Sequence, residues 1–361
     1  MIQSALGKVV DRENLTEQEM VEVMDQITEG RATPAQIGAF MIGLRMKGES
    51  VDEITGAARV MRAKSVKIPV GTTPVSVDRD EINLDNETVV DTCGTGGDGT
   101  HTFNVSTTTA FVVAGGGLKV AKHGNRSVSS LCGSADVVER LGVRLDIAPE
   151  HVAECIDTVG IGFLYAPMLH GAMRHVVRPR REIGLRSIFN LLGPLTNPAG
   201  ASVQVLGVYN KALTQPMAKV LQRLGCKSAF VVHGAGCYDE ISITGPTFMT
   251  RVNEDSIETL EFVPEDVGIR RAQPSDIRGG DSEKNAAVTM SVLKGELGPC
   301  RDMVVLNAAA VFVAARMAAG MAEGVALATE SIDSGRALKK LEGLVEISSR
   351  SMEAETSAAV R

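Results

Sequence analysis

The sequence predicts an α/β fold that follows a small group of helices at the N-terminus. The chain has 361 residues, of which 44% are hydrophobic, and this length favours roughly two domains, one large and one small. The first 65 residues carry helix-start and helix-stop signals. From Glu87 onward, short β-branched runs alternate with helical stretches, a pattern typical of a largely parallel sheet covered by helices.

Three helices are predicted within the first 65 residues. Each begins with a hydroxyl-bearing N-cap residue that is followed three positions later by Glu or Gln, which is a capping box. The boxes are Thr16 to Glu19, Thr33 to Gln36 and Ser50 to Glu53, and Gly30 and Gly48 end the first two helices. Three short helices have little room for a core of their own. We therefore expect them to pack on the rest of the chain or on a second subunit.

The α/β elements follow in order along the chain. Residues 66–87, rich in Pro, Thr, Asp and Asn, predict a linker or loose hairpin. Strands are predicted at 88–92, 118–121, 163–166, 203–208 and 228–233, with helices at 106–114, 135–141 and 213–224. Further strands should join the sheet in antiparallel orientation at 241–244, 247–252 and 259–262.

Three segments depart from this alternation. The segment 170–194 is basic and then apolar, and it could return the chain to the N-terminal helices. Residues 303–328 are apolar but include an Asn, an Arg and a Glu, which predicts a buried Ala-rich helix and not a membrane span. Residues 351–361 lack apolar periodicity, so we expect a frayed tail there.

Composition argues against several classes of function. The net charge is −7, Trp is absent and aromatic residues make up 3% of the chain, which disfavours a nucleic-acid partner and a membrane-surface partner. None of the six cysteines forms a C-x-x-C pair, so neither a zinc finger nor a disulfide framework is expected. The opening residues lack a basic-then-apolar signal pattern, and we therefore expect a cytoplasmic protein.

A glycine-rich loop follows the first predicted strand. Its sequence GTGGDG, at 94–99, matches a dinucleotide fingerprint in form, but no acid occurs between Asp98 and Asp136 to hold a ribose hydroxyl. That window instead combines glycine amides, hydroxyls and cations, which favours a phosphate site, with an ordinary strand-to-helix turn as the alternative. Asp98 itself suits sugar hydroxyls or a Mg²⁺ ion, or is a turn residue before Gly99.

Several longer motifs occur in a fixed order. They are GTGGDG followed by T-x-N-x-S-T, then KHGNRSVSS and GSAD, then FNLLGPLTNP, and finally an Asp-Glu pair. Together they make the chain closely resemble the anthranilate phosphoribosyltransferase family, from the N-terminal helices to about Leu344. The resemblance implies transfer of the phosphoribosyl group of 5-phosphoribosyl 1-pyrophosphate (PRPP) to the amine of anthranilate. This reaction releases pyrophosphate and is the second step of tryptophan biosynthesis.

The resemblance also implies an architecture. A small helical domain, 1–70 joined by part of 170–200, would be hinged to a larger α/β domain, 85–350. The larger domain would have a mainly parallel central sheet similar to that of nucleoside phosphorylases. The family's usual homodimer, formed through the helical domain, is implied as well.

Matching motifs carry the family's site residues onto this chain. The residues implied to bind PRPP are Gly94, Gly97, Asp98, Thr102, Asn104, Val105, Ser106, Thr107, Lys122, His123, Gly124, Asn125, Arg126, Ser127, Val128, Ser129, Ser130 and Ser134. Those implied to bind anthranilate are Gly94, Asn125 and Arg180, and those implied to hold Mg²⁺ are Ser106, Asp239 and Glu240. The chain departs from the family at 170–174, which reads HGAMR where HPAMK is usual.

The chemistry of these residue types is compatible with the implied roles. Adjacent acids suit a hard Mg²⁺ ion that bridges phosphate oxygens, although such pairs more often lie in exposed turns. Lys122 beside hydroxyls favours a phosphate partner. Arg180 offers a fork for a carboxylate, or it belongs to a solvated basic face. Because an aryl amine is neutral at pH 7, we expect no essential side-chain base. His123 should order the loop or shield the ribosyl cation.

Two alternative functions can be compared with these motifs. A pyrimidine nucleoside phosphorylase of the same fold would need a different phosphate signature in place of KHGNR. A non-catalytic paralogue that binds nucleic acid would have a broken Asp-Glu pair or glycine loop and a basic surface. The sequence shows neither, because both motifs are intact and the net charge is negative.

Overall fold

The computed structural model describes residues 1–71, 88–127, 131–254 and 256–359, with side chains through residue 350. Its N-terminal part forms helices α1 (Ile2–Val10), α2 (Glu17–Thr28), α3 (Pro34–Lys47) and α4 (Val51–Ala63). The three predicted helices are α2 to α4, and each predicted capping box forms with both of its hydrogen bonds. The sequence did not indicate α1, because no side chain caps its first turn.

The later helices lie between and after the strands. They are α5 (Val105–Gly115), α6 (Ser134–Arg140), α7 (Pro149–Val159), α8 (Ala166–Leu169), α9 (Arg174–Ile183), α10 (Ile188–Leu192), α11 (Thr214–Arg223), α12 (Ser282–Leu293), α13 (Pro299–Ala314), α14 (Met321–Asp333) and α15 (Arg336–Ala359). Helices α9 and α10 pack on the N-terminal helices and share an apolar cluster with them, to which Val176 and Ile188 belong. The segment after residue 170 therefore returns the chain to the helical part.

A seven-stranded sheet runs through the described α/β part. Its strands are β1 (Val89–Gly94), β2 (Lys119–Gly124), β3 (Ile161–Tyr165), β4 (Val203–Gly207), β5 (Ser228–Gly234), β6 (Thr247–Asn253) and β7 (Ile257–Phe262). They lie in the order β3-β2-β1-β4-β5-β6-β7. The first five strands are parallel, and β6 and β7 are added by antiparallel pairing. The predicted fold class, with a mainly parallel sheet, is confirmed.

Both faces of the sheet are covered. On β4, Val205 packs into the cluster that includes α5 and α13, whereas Leu206 packs into the cluster that includes α11 and the helical part. Neighbouring residues of a strand point to opposite faces, so a strand that is buried on both sides is apolar throughout. The helical part is thus joined to the sheet by a continuous apolar core.

Residues 241–244 do not form the predicted strand. The backbone of Ile241 hydrogen-bonds to the side chain of Asn307, and the amide of Ser242 donates to Thr247 Oγ1. Because side chains meet these backbone groups, no neighbouring strand is needed, and the prediction was wrong here.

The apolar stretch 303–328 is two helices and not the single predicted one. Helix α13 ends at Ala314, and Arg316 has a φ of 60° in the turn before α14. Gly324 of α14 lies so close to α13 that a Cβ there would be 2.7 Å from the Ala309 carbonyl oxygen. Small residues therefore allow the chain to fold back on itself.

The predicted frayed tail at 351–361 is also different in the structure, because α15 continues to Ala359. Leu341, Leu344 and Ile347 bury one face of this helix, and the Met, Glu and Ala residues that follow are good helix formers. Most of the predicted linker, residues 72–87, lies outside the described residues.

The predicted site motifs meet at one edge of the sheet. The glycine loop follows β1, the KHGN motif spans the end of β2, and the Asp-Glu pair follows β5. The carboxyl ends of parallel strands share an edge, and ligands of open α/β sheets bind there. None of the described helices is long and apolar enough to cross a membrane.

Candidate active site

The glycine loop connects β1 to α5 and lies against the acid pair. Gly96 and Gly97 have φ of 66° and 70°, left-handed values that favour glycine. Gly94 and Gly207 are paired at the ends of β1 and β4. A Cβ on Gly94 would lie 2.2 Å from Asp239 Oδ2, and a Cβ on Gly207 would lie 1.6 Å from the Asp239 carbonyl oxygen. Asp239 can occupy this position only because both strands end in glycine.

Backbone hydrogen bonds fix both acids. Asp239 Oδ2 accepts from the Gly96 amide at 2.7 Å, and Glu240 Oε1 accepts from the Ser106 amide at 3.0 Å. Ser106 lies in the first turn of α5, where amides lack helical partners and the helix dipole favours negative charge. The three residues predicted to hold Mg²⁺ are thereby brought together.

Asp98 adds a third carboxylate, held by the amide and hydroxyl of Thr100 at 3.1 and 2.5 Å. Burial, and next the negative charge of Asp98, raise the pKa of Asp239. Burial and the charge of Asp239 raise the pKa of Glu240 well above its usual value. No Lys or Arg in the described ranges forms an ion pair with these acids, so the cluster is short of positive charge.

These oxygens fit Mg²⁺. Mg²⁺ prefers oxygen ligands, and it is usually bound by one or two carboxylates together with waters and substrate phosphates. Within the part of the chain that the structure describes, no three His, Cys, Asp or Glu side chains form a group that could hold a metal ion alone. A divalent ion here would therefore need oxygens from a phosphate-bearing ligand.

Lys122 lies beneath the acid pair. Its side chain is buried at the end of β2, where Nζ donates to the Thr92 carbonyl at 2.6 Å and lies 3.4 Å from Ser106 Oγ. Its charge opposes the rise in the pKa of Glu240. Lys122 thus supports the floor of the site through Ser106 and Glu240, and its predicted phosphate partner stays a prediction.

The loop after β2 is braced against α6. Asn125 Oδ1 accepts from the Arg126 amide at 2.7 Å, and the Asn125 carbonyl accepts from Ser134 Oγ at 3.3 Å. The Arg126 guanidinium pairs with Asp136 at 3.0 Å and with Glu139 at 2.7 Å. Its charge is therefore compensated within the protein, and a contact between Arg126 and PRPP stays a prediction. Three residues predicted to bind PRPP lie outside the described residues: Val128, Ser129 and Ser130.

The first turn of α5 combines buried and ligand-facing groups. Val105 and Thr107 bury their side chains, so neither can offer more than backbone to a ligand. Asn104 is the N-cap residue, yet its side chain does not cap the helix, because Oδ1 accepts from Asn285 Nδ2 at 2.8 Å. Thr102, also predicted to bind PRPP, pairs with Arg278 through an isolated backbone bridge.

Two buried histidines stand next to each other at the end of β2. His123 Nδ1 lies 3.2 Å from the Gly193 carbonyl, and its Nε2 lies 3.1 Å from His170 Nε2. Burial lowers the pKa of His123 to about 3 and that of His170 to about 4. These lowered pKa values favour the neutral form of both rings at pH 7, and a neutral His123 is a poor general acid. Its contacts fit the loop-ordering role predicted from the sequence.

Arg180 comes from α9 in the helical part, whereas Gly94 and Asn125 come from the sheet edge. Its guanidinium lies over the Phe189 ring, 5.6 Å from the centroid. Burial lowers its pKa, and no carboxylate in the described ranges pairs with it. A half-buried and unpaired guanidinium is suited to binding a carboxylate of a ligand.

Sequence reasoning missed Arg186. Its Nη1 donates to the Gly97 carbonyl, its guanidinium stacks 4.3 Å above the Tyr209 ring, and its own carbonyl accepts from Arg45 Nη1 at 2.7 Å. Arg186 therefore connects the helical part to the glycine loop. It lies three positions before the first residue of FNLLGPLTNP, so the motif was visible although this contact was not.

Sequence reasoning also gave Asn307 no role in the site. Its side chain accepts from the Ile241 amide at 2.9 Å and donates to the Ile241 carbonyl at 3.0 Å. Both bonds fix the residue that follows Glu240, so Asn307 orients the acid pair from α13. A buried amide in an Ala-rich helix was the available signal.

Comparisons with known proteins agree with this geometry. The model for the a/b domain of a glycosyl transferase family matches residues 86–338, and the model for the helical bundle domain matches residues 3–65. The chain is 57% identical over 347 residues to anthranilate phosphoribosyltransferase from Pelobacter propionicus, covering 96% of this chain and 99% of that protein. The chain belongs to the anthranilate phosphoribosyltransferase family.

Solved structures extend the likeness. The crystal structure of a family member from Thermus thermophilus has a TM-score of 0.86 and 42% identity, covering 95% of this chain and 99% of that one. The Saccharomyces cerevisiae enzyme in complex with PRPP and Mg has a TM-score of 0.85 and 27% identity, covering 97% of this chain and 98% of that one. The yeast enzyme has also been solved with 4-fluoroanthranilate.

Proposed function

We propose that this chain transfers the phosphoribosyl group of PRPP to the amine of anthranilate, forming N-(5-phosphoribosyl)anthranilate and pyrophosphate. One observation carries the proposal. The acid pair is hydrogen-bonded both to the glycine loop, through Gly96, and to the first turn of α5, through Ser106. A metal-bound pyrophosphate at these acids would therefore face the loop's amides and the positive end of the helix.

Asp239, Glu240 and Ser106 are the residues that would hold Mg²⁺. When bound, Mg²⁺ neutralises the negative charge that develops on the departing pyrophosphate. The chain's own contribution is positioning, because Gly97 and its neighbours offer backbone amides and Lys122 keeps Ser106 and Glu240 in place.

The acceptor would be oriented by Arg180, Asn125 and Gly94. Arg180 can form a bidentate pair with the carboxylate of anthranilate, which lies ortho to the attacking amine. The amine attacks the ribose carbon with its lone pair, and the amine proton is lost afterwards to water. No side-chain base is required, because the aryl amine is neutral at pH 7 and attacks without prior deprotonation.

The alternatives fit less well. A nucleoside phosphorylase would bind free phosphate in place of pyrophosphate, and nothing in the described site replaces the KHGN motif with another anion signature. A nucleic-acid-binding role would need a basic surface, whereas the net charge is −7.

The proposal also includes the domain boundaries and the oligomeric state. We take 1–70, joined by part of 170–200, as the helical domain, because α9 and α10 pack on the N-terminal helices. Exposed apolar residues on helices α1 and α3, Val10 and Met46, support a homodimer through this domain. The cytoplasmic location stays a prediction from the sequence.

Loss of anthranilate fluorescence on addition of PRPP tests the proposal directly. We expect the purified chain to consume anthranilate only when both PRPP and Mg²⁺ are present, with one pyrophosphate released for each anthranilate consumed. Phosphorolysis of a pyrimidine nucleoside, with no loss of anthranilate, would overturn the proposal and favour the phosphorylase. Light scattering on the same sample tests the dimer.

A further inference from the structure

The N-cap residue of α5 does not form the usual capping hydrogen bond. An Asn at an N-cap position usually accepts a hydrogen bond from the amide two or three residues later. Asn104 does not, because its Oδ1 already accepts from Asn285 Nδ2 at 2.8 Å. The Ser106 amide is used by Glu240, and the Thr107 amide has no partner among the described residues. The backbone amide of Thr107 is therefore left without the hydrogen bond that the N-cap side chain would normally accept from it.

The hydrogen bonds of Asn285 allow only one orientation of its side-chain amide. It lies on α12 with 2% of its surface exposed. Its Oδ1 accepts from the Gly280 amide at 2.7 Å, so Oδ1 must face the loop before α12. Its Nδ2 then donates a hydrogen bond to Asn104, whose side chain must accept it through Oδ1. The NH₂ group of Asn104 is thereby turned away from Asn285.

The loop before α12 is itself joined to the glycine-rich segment. The Gly279 amide donates to the His101 carbonyl at 2.9 Å, and the Phe103 amide donates to the Ile277 carbonyl at 3.4 Å. A Cβ on Gly279 would lie 2.7 Å from both Asn285 Oδ1 and the Phe103 amide nitrogen. Asn285 thus sits at the junction of two segments that are more than 170 residues apart in the sequence.

We propose that Asn285 is a positioning residue for PRPP binding, and that it acts through Asn104. By occupying Asn104 Oδ1, it keeps the first turn of α5 uncapped and presents the NH₂ group of Asn104, a hydrogen-bond donor, to phosphate oxygens. This inference rests on the proposed function, because it assigns PRPP to the site at α5. Asn285 itself touches no ligand.

The isosteric substitution Asn285→Asp separates positioning from packing. A carboxylate can still accept from the Gly280 amide, but it cannot donate to Asn104 Oδ1. The Asn104 amide should then turn over, so that its oxygen faces the phosphate or caps α5. We expect the dissociation constant for PRPP with Mg²⁺ to rise at least tenfold by calorimetry, with the KM for anthranilate unchanged within twofold. Asn285→Ala should weaken PRPP similarly without adding a charge.

A double-variant cycle provides the decisive readout. If Asn285 acts through Asn104, then Asn285→Asp should have little further effect on PRPP affinity in an Asn104→Ala background. An equal loss of affinity in both backgrounds would overturn the inference and leave Asn285 a purely structural residue. Unchanged PRPP affinity in well-folded Asn285→Ala would overturn it too. Thermal unfolding of each variant identifies any that fails to fold, and Asn285→Ala then replaces Asn285→Asp in the cycle.

If the proposed function itself is wrong, the measurements on the wild-type protein will differ from those expected. Wild-type protein that does not bind PRPP and Mg²⁺ at all would overturn both the proposed function and this inference. Wild-type protein that binds PRPP but consumes no anthranilate would overturn the transfer reaction alone. In that case the calorimetric cycle still decides between positioning and structure.

Discussion

Replacing Arg180 with Ala tests how the acceptor is held. The guanidinium is half-buried, stacks on Phe189 and has no carboxylate partner among the described side chains, so its charge is available to a ligand. A charge-assisted hydrogen bond in such a setting contributes about 1.5–3 kcal/mol. Because about 1.4 kcal/mol is tenfold in affinity, Arg180→Ala should raise the KM for anthranilate about 10- to 150-fold. The KM for PRPP should stay within about twofold, since Arg180 lies on a different element from the acid pair.

Steady-state titration of each substrate, with the other saturating, measures both constants. Arg178→Ala is a matched control on the same helix, because that side chain is 84% exposed and, among the described residues, pairs only with Glu182. It should change neither constant. Arg180→Lys should fall between wild type and Arg180→Ala, because it keeps the charge but loses the fork. Unchanged constants for Arg180→Ala would refute the reasoning and make the basic segment a solvated face, and a matched rise in both would point to a hinge.

Three other predictions concern the metal, the glycine loop and pH. The double change of Asp239 and Glu240 to Ala should abolish Mg²⁺-dependent turnover without lowering the melting temperature, because burial raises the pKa of both carboxylates and so makes their charged forms unfavourable in the folded protein. Gly97→Val should abolish PRPP binding by calorimetry, because residue 97 has a φ of 70° and its Cβ would lie 3.2 Å from Arg186 Cδ. Lowering the pH from 7 to 5 should cost wild type about 2 kcal/mol of unfolding free energy that His170→Gln does not lose, because the unfolded imidazole takes up a proton near pH 6.5 whereas the folded pKa is about 4.

Each of the three has an outcome that contradicts it. Full turnover of the double variant in excess EDTA would exclude an essential metal at these acids. Gly225→Val controls for backbone strain, since Gly225 has a φ of 80° with nothing within 4 Å, and equal loss of PRPP binding in this variant would show that strain alone is responsible. Denaturant titrations of wild type and His170→Gln that decline in parallel between pH 7 and pH 5 would mean that His170 is not held neutral.

Local signals predicted much of the fold. The capping boxes at Thr16, Thr33 and Ser50 involve residues three positions apart, so the sequence contains both partners of each hydrogen bond. The parallel strands were visible as short β-branched runs. Residues 241–244 have the same alternation as a strand, but the Ile241 amide donates to the side chain of Asn307, 66 residues away, and the Ser242 amide donates to the side chain of Thr247. The alternation of residue types does not reveal such bonds to side chains.

Site residues that belong to a sequence motif could be predicted. Residues whose role depends on a partner far away in the sequence could not. Asp239, Glu240 and Ser106 were expected together and lie together, although their roles toward a ligand stay predictions. Asn307 and Asn285 reach their partners over 66 and 181 residues of sequence. Contacts of this range depend on how α12 and α13 pack, which composition and periodicity do not specify.

The paired glycines at the ends of β1 and β4 have a consequence for how this protein tolerates change. Gly94 and Gly207 form a notch that Asp239 fills, and at Gly207 even a single methyl group would overlap the backbone of the acid loop. In a saturation library, position 207 should therefore be as intolerant as the acids themselves, although it offers no side chain to any ligand. Intolerance at such a position reflects the space that Asp239 needs, so a map of inactive variants would also mark the residues that pack behind the acid pair.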